Sequence, residues 1–533
     1  MKTTHARRLR RAVLFAASAV SVAATVLVAG AGDAAASPAS SGASRIVRID
    51  GGLVRGADAA GVRSFLGLPY AAPPTGNLRW RAPQPASWSG VRDATQFGPG
   101  CPQATMGNPF LPPGKISEDC LNLNVYTPAA RPGADRPVLV WIHGGGLVQD
   151  GGRNYDGTKL AAAGAVVVTI NYRLGALGFL AHPALASHGA AGNYGLMDQQ
   201  AALRWVQRNI ARFGGDPRNV TIAGQSAGGL SVLAQLDSPG ARGLFQRAIV
   251  ESGTYALTQQ PLAAAEADGQ TFATKAGCAS TVSARDMAAC LRSLPVSTIL
   301  ANENPVGYTP DVDGAVLTQS IKTALARGQF NRVPVVIGTN HDEYRLFVAV
   351  IQFLGGRVTA ANYQSMIAST FSLTPAIASK VAAQYPLGRY PSPAVALGAV
   401  GTDAIFACHA LTAEESLARY VPTYAYEFND ENAPELFLPP AGFPYGAAHA
   451  SELQYLFDQT AVSQPASLSA AQQQLAAAMK QDWTSLARTG IPAAGWPRFT
   501  GTSQQMLSLV PPAPQVETDF AAQHHCAFWA PEP

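Results

Sequence analysis

Gly224-Gln225-Ser226-Ala227-Gly228 follows directly on the apolar, β-branched run Asn219-Val220-Thr221-Ile222-Ala223. This pattern predicts a strand that leads into a tight turn with a serine at its tip. Small residues on both sides of Ser226 are required in such a turn, because larger ones would collide as the chain reverses. Residues 229–236 are predicted to form the helix that follows. The free N–H groups at its start, including that of Ala227, would point at an oxyanion formed on an attacked carbonyl.

A second glycine-rich segment, Trp141-Ile142-His143-Gly144-Gly145-Gly146, ends another apolar run upstream of the serine. Consecutive glycines let the backbone approach a substrate oxygen closely, so we expect the N–H groups of Gly145 and Gly146 to complete an oxyanion hole with that of Ala227. For His143, a structural role in fixing this loop is favoured over proton transfer. Each segment alone could be a flexible turn without chemistry, but the two together, in this order, indicate acyl transfer.

Further segments give the sequence a family resemblance. They are FLGLPYA at 65–71 with prolines at 73 and 74, LRW at 78–80, SEDCLNLNVY at 117–126, GNYGLMDQ at 192–199 and FGGDP at 213–217. With the two glycine-rich segments, they resemble the type-B carboxylesterases and lipases, which include cholinesterases and bile-salt-activated lipases, from about Val54 to Trp529. The resemblance implies the α/β-hydrolase fold, with a mostly parallel central sheet, helices on both faces and helical insertions that cap the active site.

The pattern along the chain agrees with an α/β fold. Strand candidates alternate with helical segments such as 195–210, which argues for a mostly parallel sheet with helices on both faces. The strand candidates are residues 138–142, 166–171, 220–223, 248–251, 333–338 and 423–428. The Ala-rich stretches at about 261–300 and 358–420 are interpreted as helical insertions at the active-site end. We expect a single catalytic domain over 37–533, in which 37–44 is a small-residue leader.

Residues 1–36 have the composition of a secretory signal peptide. Lys2 and four arginines precede an apolar run from about 12 to 30, and three alanines end the segment at a small-residue cleavage site. A membrane anchor is the alternative, but no later run is long and apolar enough to span a bilayer. Removing these residues takes away five basic groups and Asp33, so the formal charge falls from +4 to 0. We therefore expect an extracellular protein with no electrostatic reason to bind nucleic acid or anionic membrane.

Six cysteines in an exported chain indicate three disulfides, and the sequence alone leaves their pairing open. The family resemblance implies the pairs Cys101–Cys120, Cys278–Cys290 and Cys408–Cys526. Metal binding is the competing interpretation. It is disfavoured because the sequence has neither a C-x-x-C pair nor a compact Cys/His cluster, and because adjacent His524-His525 is poor ligand spacing. We therefore expect no metal, and we expect no other cofactor because the glycine-rich segments form neither a GxGxxG nor a GxxxxGK(S/T) motif.

A serine hydroxyl is a poor nucleophile until a base removes its proton, and the base needs a carboxylate partner. The resemblance places the acid at Glu343, in GTNHDE at 338–343, with the adjacent Asp342 as its rival. It places the base at His449, in GAAHASELQYLF at 446–457. The order Ser226, Glu343, His449 is the one that the α/β-hydrolase fold uses.

Together these residues predict a secreted serine carboxylic-ester hydrolase that works through an acyl-enzyme. Its expected partner is a small-molecule ester, and its expected state is the monomer. Lipase or cholesterol-esterase activity on long-chain acyl esters is the alternative. A non-catalytic binding protein of the same fold is disfavoured because Ser226, Glu343 and His449 are all present. An enzyme of the same fold with another acyl or cyclisation chemistry is a third hypothesis, and the natural acid and alcohol stay open.

Two positions argue against choline esters as substrates. The cholinesterases that this sequence resembles bind a quaternary ammonium group with a tryptophan inside the first disulfide loop and a glutamate immediately before the nucleophile. Here the only aromatic residue between Cys101 and Cys120 is Phe110, and the residue before Ser226 is the neutral Gln225. Because indole is the strongest cation–π partner, we expect a preference for neutral, apolar esters.

Overall fold

The structure, a computed structural model, covers most of the chain. It describes residues 46–59, 61–104, 114–129, 135–186, 191–278, 283–303, 308–459, 467–493 and 495–530. The predicted signal peptide, the leader at 37–44 and Phe110 lie outside these ranges.

The described strands build one large sheet and three small ones. They are β1 (Ile46–Ile49), β2 (Gly52–Arg55), β3 (Ala57–Ala59), β4 (Val62–Pro69), β5 (Val91–Asp93), β6 (Asn122–Pro128), β7 (Arg136–Ile142), β8 (Tyr155–Asp156), β9 (Val166–Ile170), β10 (Gly215–Gln225), β11 (Arg247–Glu251), β12 (Gln260–Pro261), β13 (Asp311–Val312), β14 (Val335–Asn340), β15 (Thr423–Phe428), β16 (Asp458–Gln459), β17 (Met506–Leu509) and β18 (Gln515–Glu517). Within the described residues the large sheet has eleven strands, in the order β18-β17-β15-β14-β11-β10-β7-β9-β6-β4-β3. Its centre, from β17 to β9, is parallel throughout. The pairs toward both edges are antiparallel.

Helices cover the sheet and form the insertions. They are α1 (Thr158–Ala162), α2 (Gly175–Phe179), α3 (Tyr194–Asn209), α4 (Ala227–Asp237), α5 (Leu262–Lys275), α6 (Ala284–Ser293), α7 (Val296–Ala301), α8 (Ile321–Arg327), α9 (Arg345–Phe353), α10 (Tyr363–Thr370), α11 (Pro375–Gln384), α12 (Pro393–Gly401), α13 (Cys408–Ala418), α14 (Leu453–Leu456), α15 (Ala470–Thr489), α16 (Phe520–Gln523) and α17 (Cys526–Trp529). A π-helical turn, Thr402–Ala407, joins α12 to α13.

The sequence patterns located the centre of this sheet correctly. All six strand candidates are present, as β7, β9, β10, β11, β14 and β15. The predicted helix at 195–210 is α3, and the two Ala-rich stretches contain α5 to α7 and α10 to α13. The predicted mostly parallel α/β fold is therefore confirmed, while the strands toward the two edges were not identified from sequence.

The central strands are buried on both faces. In β9, with the sequence VVVTI, every residue is buried, which is why its apolar run is continuous instead of alternating. One apolar layer packs Leu203 of α3 and Leu230 of α4 on the sheet. A second layer packs Leu160 of α1 and Trp483 of α15, and it shares no buried residue with the first.

One helical segment among the described residues is long and apolar enough to cross a bilayer by length and composition. It is the run Pro393–Ala418, and 83% of its most apolar window is buried inside the protein. Burial of this kind is typical of a core helix, so this segment does not indicate a membrane span.

Three disulfides join Cys101 to Cys120, Cys278 to Cys290, and Cys408 to Cys526. These are the pairs that the family resemblance implied. Disulfides persist in oxidising compartments, so they indicate an extracellular or secretory-pathway protein.

The turn between β10 and α4 needs glycine because the start of α4 passes over the end of β7. A Cβ atom on Gly228 would lie only 1.9 Å from the carbonyl oxygen of Ile142. A Cβ atom on Gly224 would lie 2.6 Å from the carbonyl carbon of Gly228. The obstructing atoms are backbone atoms, which cannot move aside as a flexible side chain does.

We therefore expect Gly228→Ala to lower the free energy of unfolding by about 1–3 kcal/mol or more, the usual cost of overpacking. The measurement is urea unfolding followed by circular dichroism. Gly388→Ala is the matched control, because a Cβ atom there has no neighbour within 4 Å. Its effect should stay within about 1 kcal/mol. Equal stability of the two variants would contradict the packing described here.

Candidate active site

Ser226 is held in a strained turn. Its φ of 56° and ψ of −122° are unusual for a residue with a side chain, and such conformations cost on the order of 1–3 kcal/mol. Its N–H donates to the carbonyl oxygen of Glu251 over 2.8 Å, and its own carbonyl oxygen accepts the N–H of Leu230 over 2.9 Å. The serine is therefore fixed from β11 on one side and from α4 on the other. Ala227, the first residue of α4, is fully buried beside it.

The glycine-rich loop after β7 packs against this serine. A Cβ atom on Gly144 would lie 3.1 Å from the Cβ atom of Ser226. Gly145 and Gly146 both have left-handed φ angles, +82° and +64°. A side chain on Gly145 would also meet the carbonyl oxygen of Gln149 at 2.2 Å. The loop conformation therefore requires glycine, and it places the backbone of Gly144 against Ser226.

His143 fixes this loop from inside the protein. Its ring is buried and stacks on Tyr172 with ring centroids 4.4 Å apart. The Tyr172 hydroxyl donates to the carbonyl oxygen of His143 over 2.8 Å. Burial lowers the pKa of His143 below its usual value, which keeps the ring neutral at neutral pH. These contacts agree with the structural role favoured from the sequence.

Glu343 and His449 are brought together although 106 residues separate them. The Nδ1 atom of His449 lies 2.5 Å from Oε2 of Glu343, and both side chains are buried. The other carboxylate oxygen accepts the hydroxyl of Thr339 over 2.7 Å and the N–H of Asn340 over 2.9 Å. Glu343 is thus oriented by three donors, with one of its oxygens directed at the imidazole. Thr339 was not identified from sequence, since nothing marks it within an apolar strand.

Asp342, the rival acid, faces a different group. Its carboxylate pairs with Arg345 over 2.7 Å and accepts the N–H of Ala447 over 3.1 Å. It therefore holds the loop that carries His449, while the ring of His449 is bound by Glu343. Arg345 forms this ion pair from the first position of α9.

The other ring nitrogen of His449 faces the serine turn. Its Nε2 atom lies 3.3 Å from the side-chain nitrogen of Gln225, the residue before Ser226. Because Nδ1 donates to Glu343, Nε2 is the accepting nitrogen and the Gln225 amide is the donor. Phe347 of α9 and Phe406 of the π-helical turn lie against the same ring, each with its centroid 5.2 Å away. Neither phenylalanine has a sequence signal, since both belong to apolar helical segments.

Two further carboxyl groups are buried close to the pair. Glu251 accepts the indole N–H of Trp483 over 2.7 Å, and Glu452 accepts the side-chain amide of Asn340 over 2.5 Å. Burial raises the pKa of each to about 8, and for Glu452 the charges of Glu251 and Glu343 add to the effect. Both groups therefore favour the neutral acid at neutral pH, so they add little negative charge around His449.

A compact group that could hold a metal ion was not anticipated from sequence. Among the described residues, His341, Glu427 and His524 place three potential ligand atoms within 4.8 Å of one another. However, Oε1 of Glu427 lies 3.0 Å from Nδ1 of His341 and 2.6 Å from Nε2 of His524. These are hydrogen-bond distances, shorter than the ~3.3 Å between ligands of a tetrahedral zinc with bonds of about 2.0–2.1 Å. The group is better described as a hydrogen-bonded network.

Comparison with known proteins identifies the family. A family model described as "Carboxylesterase family" matches residues 43–529. Similar proteins include cocaine esterase of Oryctolagus cuniculus, 38% identical over 482 residues, which are 86% of this chain and 89% of that protein. Para-nitrobenzyl esterase of Bacillus subtilis is 36% identical over 87% of this chain and 94% of its own length. Fumonisin B1 esterase of Sphingopyxis macrogoltabida is 36% identical, with coverage of 84% and 83%.

The chain therefore belongs to the carboxylesterase family, and it is a carboxylic ester hydrolase of the type-B group. The resemblance recognised from sequence is confirmed.

The positions of the two adjacent carboxylates generate a prediction. Glu343→Gln should lower kcat by about 10⁴-fold, because an amide in place of the carboxylate favours the wrong imidazole tautomer. Asp342→Asn keeps the shape of its side chain and changes only a group bound to Arg345 and Ala447, so its kcat should fall less than about tenfold. Steady-state hydrolysis of a p-nitrophenyl ester measures both. Equal losses would mean that the acid is misassigned.

Proposed function

We propose that this protein is a secreted serine esterase in which Ser226 is the nucleophile, His449 the general base and Glu343 the acid. The observation that carries the proposal is the 2.5 Å contact between His449 and Glu343 beside a serine held in a strained turn. No metal or other cofactor takes part in the proposed mechanism. Residues 37–533 form one catalytic domain in this proposal, and the protein acts as a monomer.

In the proposed reaction, His449 Nε2 takes the proton of Ser226 as its Oγ attacks the ester carbonyl. The N–H groups of Gly145, Gly146 and Ala227 donate to the oxyanion of the tetrahedral intermediate. His449 then protonates the departing alcohol, which leaves an acyl group on Ser226. Water, deprotonated by the same imidazole, attacks the acyl-enzyme and releases the acid. The amide of Gln225, now the donor to Nε2, gives way to the serine hydroxyl before attack.

Export is part of the proposal. It is supported by the charged and apolar composition of residues 1–36 and by the three disulfides. The formal charge of 0 after cleavage gives no electrostatic attraction to nucleic acid or to an anionic membrane surface.

The proposed substrates are neutral, apolar esters. Phe347 and Phe406 surround the ring of His449, and the neighbouring Gln225 carries no charge. Long-chain acyl esters are the alternative class, and a panel of p-nitrophenyl esters of increasing acyl length distinguishes the two.

The role of Ser226 is tested by substitution and by labelling. Ser226→Ala should lower kcat by on the order of a million-fold, as in other serine hydrolases, and should abolish labelling by an organophosphonate. Ser365→Ala is the control, because Ser365 is an exposed serine on α10. It should keep both activity and labelling. Retention of labelling and turnover in Ser226→Ala would overturn the proposal.

Discrimination between charged and neutral esters tests the substrate class. We expect kcat/KM for 3,3-dimethylbutyl butyrate to exceed that for butyrylcholine, since without the tryptophan, whose cation–π contact can be worth about 2 kcal/mol, and without the adjacent negative charge, cation binding should be weakened by well over tenfold. Gln225→Glu places a negative charge beside His449 and should bring the kcat/KM values for the neutral and the charged ester closer together. A preference of the unmodified enzyme for the choline ester would contradict the assignment.

A further inference from the structure

A buried series of ionisable side chains connects the C-terminal segment to the strands of the active site. His524 lies between two carboxylates, with Nδ1 2.7 Å from Asp403 and Nε2 2.6 Å from Glu427. All three side chains are almost completely buried. Since an ionised carboxylate only accepts hydrogen bonds, both ring nitrogens must carry a proton, and His524 is an imidazolium.

The charges in this series stabilise one another. Burial alone would lower the pKa of His524, but the charges of Glu427 and Asp403 raise it to about 10. Burial alone would raise the pKa of Glu427, but His524 and His341 lower it to about 2. Removing one partner of a buried ion pair leaves an uncompensated charge, which then changes protonation or moves.

The first carboxylate, that of Glu427, is hydrogen-bonded to the turn that carries Glu343. The Oε1 atom of Glu427 that binds His524 also accepts Nδ1–H of His341 over 3.0 Å. The backbone N–H of His341 donates to the carbonyl oxygen of Phe428 over 3.0 Å. His341 is flanked by Asn340, whose N–H holds the carboxylate of Glu343. His341 is therefore the group that fastens this turn to β15.

The second carboxylate, Asp403, lies in the π-helical turn, which also contacts the site. Thr402 accepts the N–H of Tyr344, the residue after Glu343, over 3.0 Å. Phe406 of the same turn lies against the ring of His449. π-Helical turns occur frequently at functional sites. His524 thus binds two segments, β15 and the π-helical turn. The first is bonded to the turn that carries Glu343, and the second contacts both that turn and the ring of His449.

We propose that His524 and His341 are positioning residues for the catalytic acid, and that the C-terminal segment closed by Cys408–Cys526 is part of the active-site scaffold. His524 joins β15 to the π-helical turn, and His341 transmits that restraint to Glu343. The inference rests on Glu343 being the triad acid, as proposed above. Displacements of about 1 Å can cost roughly 100-fold in rate, so loss of this restraint affects turnover.

The test is a set of variants assayed with a p-nitrophenyl ester, with kcat expressed per active serine titrated by an organophosphonate. His341→Ala removes the donor to Glu427 from a partly exposed position, and His524→Gln removes the charge. Each should lower kcat by about 10- to 100-fold with KM changed less than threefold. His525→Asn is the matched control. His525 also bonds Asp403, over 3.1 Å, but it does not bond Glu427, and asparagine tolerates its φ of 51°. Its kcat should stay within twofold.

The same substitutions in the Glu343→Gln background separate positioning from stability. If His341 and His524 act through Glu343, they should cause no further loss of kcat once its carboxylate is gone. Equal losses in both backgrounds, or an unchanged kcat in His341→Ala, would overturn the inference. Failure of His524→Gln to fold leaves His341→Ala as the deciding variant. If Glu343→Gln itself retained activity, the proposed function would fail instead.

Discussion

The site depends on one crowded turn, in which the chain leaves β10, reverses at Ser226 and enters α4. Its restraints come from three directions: the carbonyl oxygen of Glu251 accepts the serine N–H, the N–H of Leu230 in α4 donates to the serine carbonyl oxygen, and the end of β7 packs against Gly228. Contact with backbone atoms on every side lets the turn keep a conformation that costs on the order of 1–3 kcal/mol. The glycine loop after β7 can reach the serine only because these elements meet without side chains between them.

The turn after β14, which carries the proposed acid Glu343, is restrained just as densely, but mainly by side chains. Thr339 and Asn340 both donate to the carboxylate of Glu343, while His341 donates to Glu427. Asp342 holds the backbone of Ala447 in the loop that carries His449. Glu343 and His449 are therefore fixed relative to one another by several bonds besides the one that joins them.

Whether a feature could be predicted from sequence depends on how far apart in the chain its interacting residues are. Short segments with local constraints were predictable, because the glycines around Ser226 and at 144–146 are required by their own backbone geometry. Glu343 was favoured over Asp342 by the family resemblance alone. Local sequence does not distinguish these adjacent carboxylates, because they bind different partners and the partner of Glu343, His449, is distant in the chain. The network of His341, Glu427 and His524 was not predicted, because the adjacent histidines His524-His525 were considered only as a possible metal-ligand pair. No local pattern reports bonds between residues 86 and 97 positions apart. Phe347 and Phe406 carry no signal that separates a site residue from core.

The central claim is that the strained serine, the glycine loop and the start of α4 converge on one oxygen atom of the substrate. A crystal structure of the organophosphonate adduct tests this most directly, because the tetrahedral phosphorus resembles the intermediate. The account predicts a covalent bond to Ser226 Oγ and a phosphoryl oxygen about 2.7–3.1 Å from the backbone nitrogens of Gly145, Gly146 and Ala227. A phosphoryl oxygen directed to solvent, or bound by side chains in place of these three N–H groups, would contradict it.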